Sequence, residues 1–438
     1  VSTFDELCGI AGYTRALERQ LRPAFDIQVF YLDQYLMRST QRRVNRLADR
    51  EIKAICKALS GFDAVNIQLE FGTLGMTQRQ IMRRLDWLCR AAPTLSVTFH
   101  TILDDEGPAW GDVFALLGQG KVKAARNMVF GGTKNRDLAR KTYGLLRRMQ
   151  RSKPTRVIVH TRRDARMMKD IHRINEVLHH PLAFIDGETA TEARAAVSRN
   201  DFPLLRQVPP DAKLIGTFGF VSGYKGFETA IEAMRYLPED HHLLIFGGIH
   251  PQTIRRHEPR DPYIDRLLKR AKIGQTILDE LRDRDGSTSL ALDGSSRELL
   301  ERHPHDLFDR VHFMGVLGDD DFARAMAICD AVVLPYMEVG QSSSGPIAIA
   351  LEMGCRIIAS RTKTFLQYAR YHPDEVEFFD IGNFAELAHR LAAPPPRDPR
   401  ERRPRFNVDT NRQVYVEANS LRRGPLFSPT SELATANA

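Results

Sequence analysis

Long apolar runs are missing from this sequence. No stretch of eighteen apolar residues occurs, so no membrane-crossing helix is expected. The start, VSTFDELCGIAGYT, is neither basic nor long and apolar, and does not read as a secretory leader. Cysteine is scarce. Cys8, Cys56, Cys89, Cys329 and Cys355 are an odd, scattered set, spaced like neither a zinc site nor a redox pair. That usage points to reduced thiols and a cytoplasmic setting. Histidine pairs at 179–180, 241–242 and 303/305 lack the spacing and carboxylate partners of a metal site, and no metal is expected. His241 and His242 precede a strand and read as surface or edge residues. No G-x-S-x-G surrounds Ser343, so the serines there need not be nucleophiles. Charge is not strongly of one sign. Lys and Arg number 63 against 55 acids, and the stretch 394–405, PPPRDPRERRPR, carries five arginines against two acids. The remaining excess permits acidic partners without demanding them. With no stacked aromatic platform or recognition motif, nucleic acid is not expected as a partner.

What is present is a repeated alternation of strand and helix. A length of 438 residues suggests two domains. In the first half DIQVFYL, DAVNIQLE, TLSVTFHTI and TRVIVHT read as strands, and HPLAFIDG as extended. The helices between them include 10–21 and RDLARKTYGLLRRMQR. The proline-containing stretch 201–211 reads as a hinge. The pattern then restarts with KLIGTFGF, HHLLIFGG, DRVHFMGVL, AVVLPY and CRIIAS as strands. This predicts an α/β protein with mostly parallel sheets. The expected domains are 1–205 and 206–390, followed at 391–438 by a linker, a final helix at 408–419 and a disordered tail. Residues 274–304 read as an insertion.

Several loops at strand ends carry candidate chemistry, because ligands of open α/β sheets sit there. In DAVVLPYMEVGQSSSGPIAIALEMG, a small polar loop separates a buried strand from an apolar helix. Free amides at that helix start suit an anion such as diphosphate, with Ser343 and Ser344 adding donors. The plainer reading is that one of these serines caps the helix. In GTFGFVSGYKGFETAIEAM, Lys225 stands just before a helix start, where its ammonium suits a diphosphate; the plainer reading is a surface lysine. The loop is neither a Walker A sequence nor the dinucleotide fingerprint. CGIAGYT, with Gly9 and Gly12, allows a ligand to approach closely. His100 ends a strand in TFHTILDDEG, with Asp104 and Asp105 beyond it, and Glu70 holds the corresponding position in IQLEFG. Two carboxylates at strand ends raise glycoside hydrolysis, but a hydrolase of neutral sugars needs no phosphate loops.

These stretches together resemble the retaining glycosyltransferases of family four, over about residues 5–390. The resemblance implies the GT-B fold, in which two Rossmann-like domains face each other across a cleft. It implies an acceptor-binding N-terminal domain and a nucleotide-sugar-binding C-terminal domain. CGIAGYTRAL matches the first glycine loop, near the donor phosphate. SVTFH places His100 near the transferred sugar. GFVSGYKGFETAIEA, with Ser222 and Lys225, matches the diphosphate stretch, and VHFMGVL the loop that meets the base at Gly315 and Val316. The serine loop matches the donor loop through Ser342, Ser343, Ser344 and Gly345. Three positions depart from the pattern. Phe220 stands where an arginine is usual, and Ser342 and Ala350 stand where two glutamates are usual. Glu338 is the first substitute for the sugar-gripping residue and Ser342 the second.

The implied activity is transfer of a hexose, with retention, from a nucleotide diphosphate sugar to a saccharide or lipid-linked acceptor, with no cofactor or metal. His100, Lys225 and Glu338 are the expected catalytic residues. A sugar epimerase of the same architecture and a non-catalytic nucleotide-sugar-binding protein are the alternatives. The basic segment 121–151 reads either as a solvated face or as a peripheral contact with an anionic membrane at its inner surface. The family begins with a buried strand, of which Val1-Ser2 would be the end, so a longer native start is expected.

Overall fold

The computed structural model describes residues 1–6, 8–103, 107–108, 110–248, 262–271, 307, 309–395 and 404–420. Asp104, Asp105, the insertion expected at 274–304, most of the stretch 394–405 and the tail after 420 lie outside the described residues. The chain divides into two units. Unit 1 holds Val1–Leu182, Gln341–Ser343 and the helix Val408–Asn419; unit 2 holds Ala183–Gly340 and the described part of Ser344–Asn407.

Unit 1 is built on a parallel sheet of β1 (Ala64–Leu69), β2 (Thr94–Phe99), β3 (Thr155–Val159) and β4 (Val177–His179), in that spatial order. Its central strand β2 is buried on both faces, and its period of two divides the work. Leu95, Val97 and Phe99 join the apolar core with Leu85, Leu88 and Tyr143. On the other face Ser96 Oγ donates to Asn419 Oδ1 at 2.7 Å, and Thr98 Oγ1 lies 3.0 Å from Tyr415 Oη. The helix Val408–Asn419 thus covers the polar half of β2. The strand expected at 26–32 is reduced to a bridge between Tyr31 and Ser2.

Unit 2 carries β5 (Lys213–Phe218), β6 (His241–Phe246), β7 (Val311–Gly315), β8 (Ala331–Leu334), β9 (Ile357–Ser360) and β10 (Glu377–Phe379). The order is β10-β9-β8-β5-β6-β7, and all paired strands are parallel. The chain runs outward from β5 to β7, then returns to begin again at β8 on the other side of β5. A topological switch point therefore lies between β5 and β8. His241 and His242 are buried, contrary to the surface reading, because β6 is an interior strand. His241 Nδ1 meets Asp240 Oδ1 at 2.7 Å, and the His242 and His312 rings stack with nitrogens 3.0 Å apart.

The passage between units comes at 182/183, earlier than the proline stretch suggested. The Phe184 and Ile185 amides donate to the buried Glu352 carboxylate at 2.9–3.1 Å. Arg199 donates to the carbonyls of Pro209, Pro210 and Ala212. Those Arg199 bonds brace 183–212 internally, while Glu352, and Arg324 donating to Asp201 Oδ2 at 2.8 Å, tie it to the rest of unit 2.

Candidate active site

In unit 2 the carboxyl ends of β5 and β8 are neighbours. Beyond β5 come Gly219, Ser222, a single 3-10 turn at Gly223–Lys225 and Gly226, which leads into the helix Phe227–Ala233. Beyond β8 come Pro335 and Tyr336, then the serine loop and the helix Gly345–Glu352.

Lys225 is not a surface lysine: it is 5% exposed. Its Nζ donates to Tyr336 Oη and lies 3.8 Å from the centre of the Tyr336 ring and 5.0 Å from that of Tyr224. No carboxylate lies within ion-pair distance of it among the described residues. Desolvation without a counter-charge lowers its pKa to about 7. The backbone around it is tightly specified. Gly226 has φ 63°, and a Cβ there would stand 2.0 Å from the Pro335 carbonyl oxygen. Gly226→Ala is therefore expected to push the ends of β5 and β8 apart. Thermal unfolding should report a loss of about 2–4 kcal/mol.

Ser344 is the residue before the helix Gly345–Glu352, but its hydroxyl caps nothing. It points to Tyr336 Oη at 3.5 Å, so the Ser344 oxygen occupies none of the first amides of that helix. Ser343 is half-buried. Ser342 is held within unit 1, where its Oγ accepts from the Ile102 amide at 3.1 Å. Glu338 is exposed, and its two oxygens accept from the amides of Gly340 and Lys363 at 3.0 and 2.7 Å. Gly315 ends β7, its carbonyl accepting from the Gly247 amide at 2.8 Å, and Val316 beyond it is exposed. Gly315 thus ends a strand, and Ser222, Lys225, Val316, Ser344 and Gly345 follow strand carboxyl ends, of one sheet.

In unit 1 the residue after each strand is Glu70, His100, His160 and His180 in turn. Gln68 spends its Nε2 on Asn66 Oδ1 at 2.6 Å, so its carbonyl oxygen faces His100 Nε2 at 2.8 Å. His100 therefore carries its proton on Nε2. His160 donates from Nδ1 to the His180 carbonyl at 3.1 Å, and its buried Nε2 makes no hydrogen bond among the described residues. The two rings are 5.2 Å apart, and Tyr13 meets both edge-on at 5.6 and 5.8 Å. Burial holds His160 at a pKa of about 4. His100 is held well below the usual range by burial and then by His160. Both are neutral at pH 7, suited to directing hydrogen bonds. The sequence reading missed His160. The strand-end signal that selected His100 in SVTFH recurs in TRVIVH.

Glu70 accepts from Thr101 Oγ1 at 2.6 Å, and burial raises its pKa. Gly9 opens the helix Gly9–Leu21 with Cys8 as its cap, and the Gly12 amide donates to the Cys8 carbonyl at 3.1 Å. The expected loop at 8–14 is thus the first turn of a helix, with Gly9 exposed and Gly12 half-buried.

No protein-family model matches the chain, and no curated protein matches it in sequence. Solved structures do match. Sucrose-phosphate synthase from Thermosynechococcus elongatus is 17% identical with a TM-score of 0.55, covering 95% of each chain. Anabaena HepE in complex with UDP and glucose is 16% identical with a TM-score of 0.51, over 92% of this chain and 88% of that one. WaaG, a glycosyltransferase involved in lipopolysaccharide biosynthesis, is 14% identical with a TM-score of 0.51, over 95% and 96%. At these identities the likeness speaks for the fold, and the two parallel α/β units of this chain have the Rossmann-like GT-B fold of such glycosyltransferases.

Proposed function

We propose that this chain is a retaining glycosyltransferase of the family-four kind, moving a hexose from a nucleotide diphosphate sugar to a saccharide or lipid-linked acceptor. The observation that carries the reading is Lys225, a buried ammonium with no carboxylate partner among the described residues, at the β5–β8 switch point. Burying a cation with no counter-charge is unfavourable, so such a group is kept for an anion that arrives. A diphosphate supplies that charge, and the uncapped start of Gly345–Glu352 adds amides that favour it. Both groups stabilise the charge that develops on the leaving diphosphate, while His100 and Glu338 are assigned to the sugar. Two backbone amides hold the Glu338 carboxylate in place for that contact. Retention is supported by the family resemblance.

The bound UDP, glucose and UDP-glucose of the Anabaena HepE structures make UDP-glucose the first donor to test. A similar trehalose-phosphate synthase holds glucose-6-phosphate, which adds phosphorylated sugars to the acceptor panel. Calorimetric titration with UDP-, GDP- and ADP-hexoses tests the reading; selective binding of one nucleotide is expected, and none binding would overturn it. The pH dependence is a sharper sign. Lys225 loses its proton above about pH 7 in the empty protein, whereas the phosphates of a nucleotide sugar do not titrate there. Affinity is therefore expected to fall with a slope approaching tenfold per pH unit above pH 7, with proton uptake on binding. Titrations at several pH values in buffers of different ionisation heat measure both.

A further inference from the structure

Exposed large apolar side chains cluster at one place. Among the described residues, Trp110, Phe114, Leu117, Val122, Met128 and Phe130 all lie on a helical pair formed by Trp110–Gly118 and the first turns of Val122–Ser152. Phe114 is 65% and Val122 63% exposed. The apolar stripe of the first helix runs through residues 110, 113, 114 and 117, about 100° wide. Only its edge at Val113 is buried, and Ala125 is the buried residue in the facing turns of the second helix. Trp110 and Phe114 lie side by side, ring centres 6.3 Å apart, in the uncovered part.

Cations accompany these side chains. Between 110 and 136 the chain carries Lys121, Lys123, Arg126, Lys134 and Arg136 against one carboxylate, Asp112. The first four are exposed. An apolar patch of this kind marks an interaction surface. Aromatic rings beside lysines that can snorkel match the boundary between anionic headgroups and acyl chains. A second copy of the chain fits less well, because a two-fold contact would bring this cationic surface against itself. No described helix is long and apolar enough to cross a membrane, so the contact is peripheral.

We propose that the helical pair at 110–130 docks unit 1 on an anionic lipid bilayer. Trp110, Phe114, Leu117 and Phe130 enter the headgroup–acyl boundary, and Lys121, Lys123, Arg126 and Lys134 meet lipid phosphates. This goes beyond the glycosyl-transfer reading and does not depend on it, since docking is read without any sugar.

The test uses the full chain. It holds two tryptophans, Trp87 and Trp110, so Trp87→Phe leaves Trp110 as the only reporter. Vesicles of phosphatidylcholine alone are compared with vesicles containing about 30% phosphatidylglycerol. Cosedimentation with the anionic vesicles is expected, with a blue shift of Trp110 emission and quenching by brominated acyl chains. Adding Phe114→Ser and Phe130→Ser should lower partitioning at least about tenfold. Lys121→Gln and Lys123→Gln should each lower it about fivefold, and salt should weaken binding. Failure to bind anionic vesicles, or binding untouched by these substitutions, would overturn the proposal. So would a concentration-dependent dimer that Phe114→Ser abolishes, since a second copy would then cover the patch. Nucleotide-sugar binding by the same variants is expected within about twofold of wild type. Loss of docking alone would therefore leave the transferase reading standing.

Discussion

Lys225→Met will remove nucleotide-sugar binding and at the same time raise thermal stability. Both effects follow from one feature, an ammonium buried against Tyr336 and Tyr224 with no carboxylate near it among the described residues. Its pKa falls from a lysine's ordinary 10.5 to about 7, which corresponds to a cost on the order of 5 kcal/mol for holding the charge. Methionine fills similar space without the charge, at the loss of the bond to Tyr336 Oη. We expect a net gain of about 2 kcal/mol at pH 7, or about 4–8 °C in a unit of this size. Between pH 7 and 10.5 the unfolded chain holds this proton and the folded chain does not. Wild-type stability therefore rises with pH through that window, and the variant's advantage shrinks. Nucleotide-sugar affinity should drop at least about a hundredfold. Scanning calorimetry and binding titration on the same preparation check both halves. A variant that is less stable and still binds would make Lys225 a structural residue.

His100→Ala is expected to act on turnover instead. The ring is neutral, fixed by Gln68, and flanked by Tyr13 and His160. If it directs hydrogen bonds to the sugar in the transition state, its loss lowers kcat about a hundredfold or more. Nucleotide affinity should change by less than about twofold, because the diphosphate contacts assigned above belong to unit 2. His100→Asn, whose side-chain oxygen can accept as the free Nδ1 does, should recover part of the rate. Equal losses in nucleotide affinity and kcat would place His100 in general folding of the site.

Much of the architecture was legible because its signals are local. The strand periods of β2, β3, β5 and β6 and the final helix Val408–Asn419 stand out in the sequence. What escaped depends on partners far along the chain. Strand β4 is three residues long and acquires its meaning by pairing with β3. The unit boundary turns on Glu352 accepting amides 168 and 167 residues away. Lys225 could be selected from its place before a helix, but its aromatic surroundings come from Tyr336, 111 residues later. His160 needed only the rule already applied to His100. The segment 121–151 read as basic, while its exposed apolar neighbours at 110–130 became visible only once burial was known.

The most direct test is to incubate the full chain with UDP-, GDP- and ADP-hexoses and follow the anomeric proton of the released sugar by NMR before mutarotation. Slow release of one α-sugar from one α-linked donor, abolished by Lys225→Met, is the predicted result. Release of the β-anomer would contradict retention. Failure of every donor to bind would contradict the assignment of the β5–β8 switch point to a nucleotide diphosphate sugar.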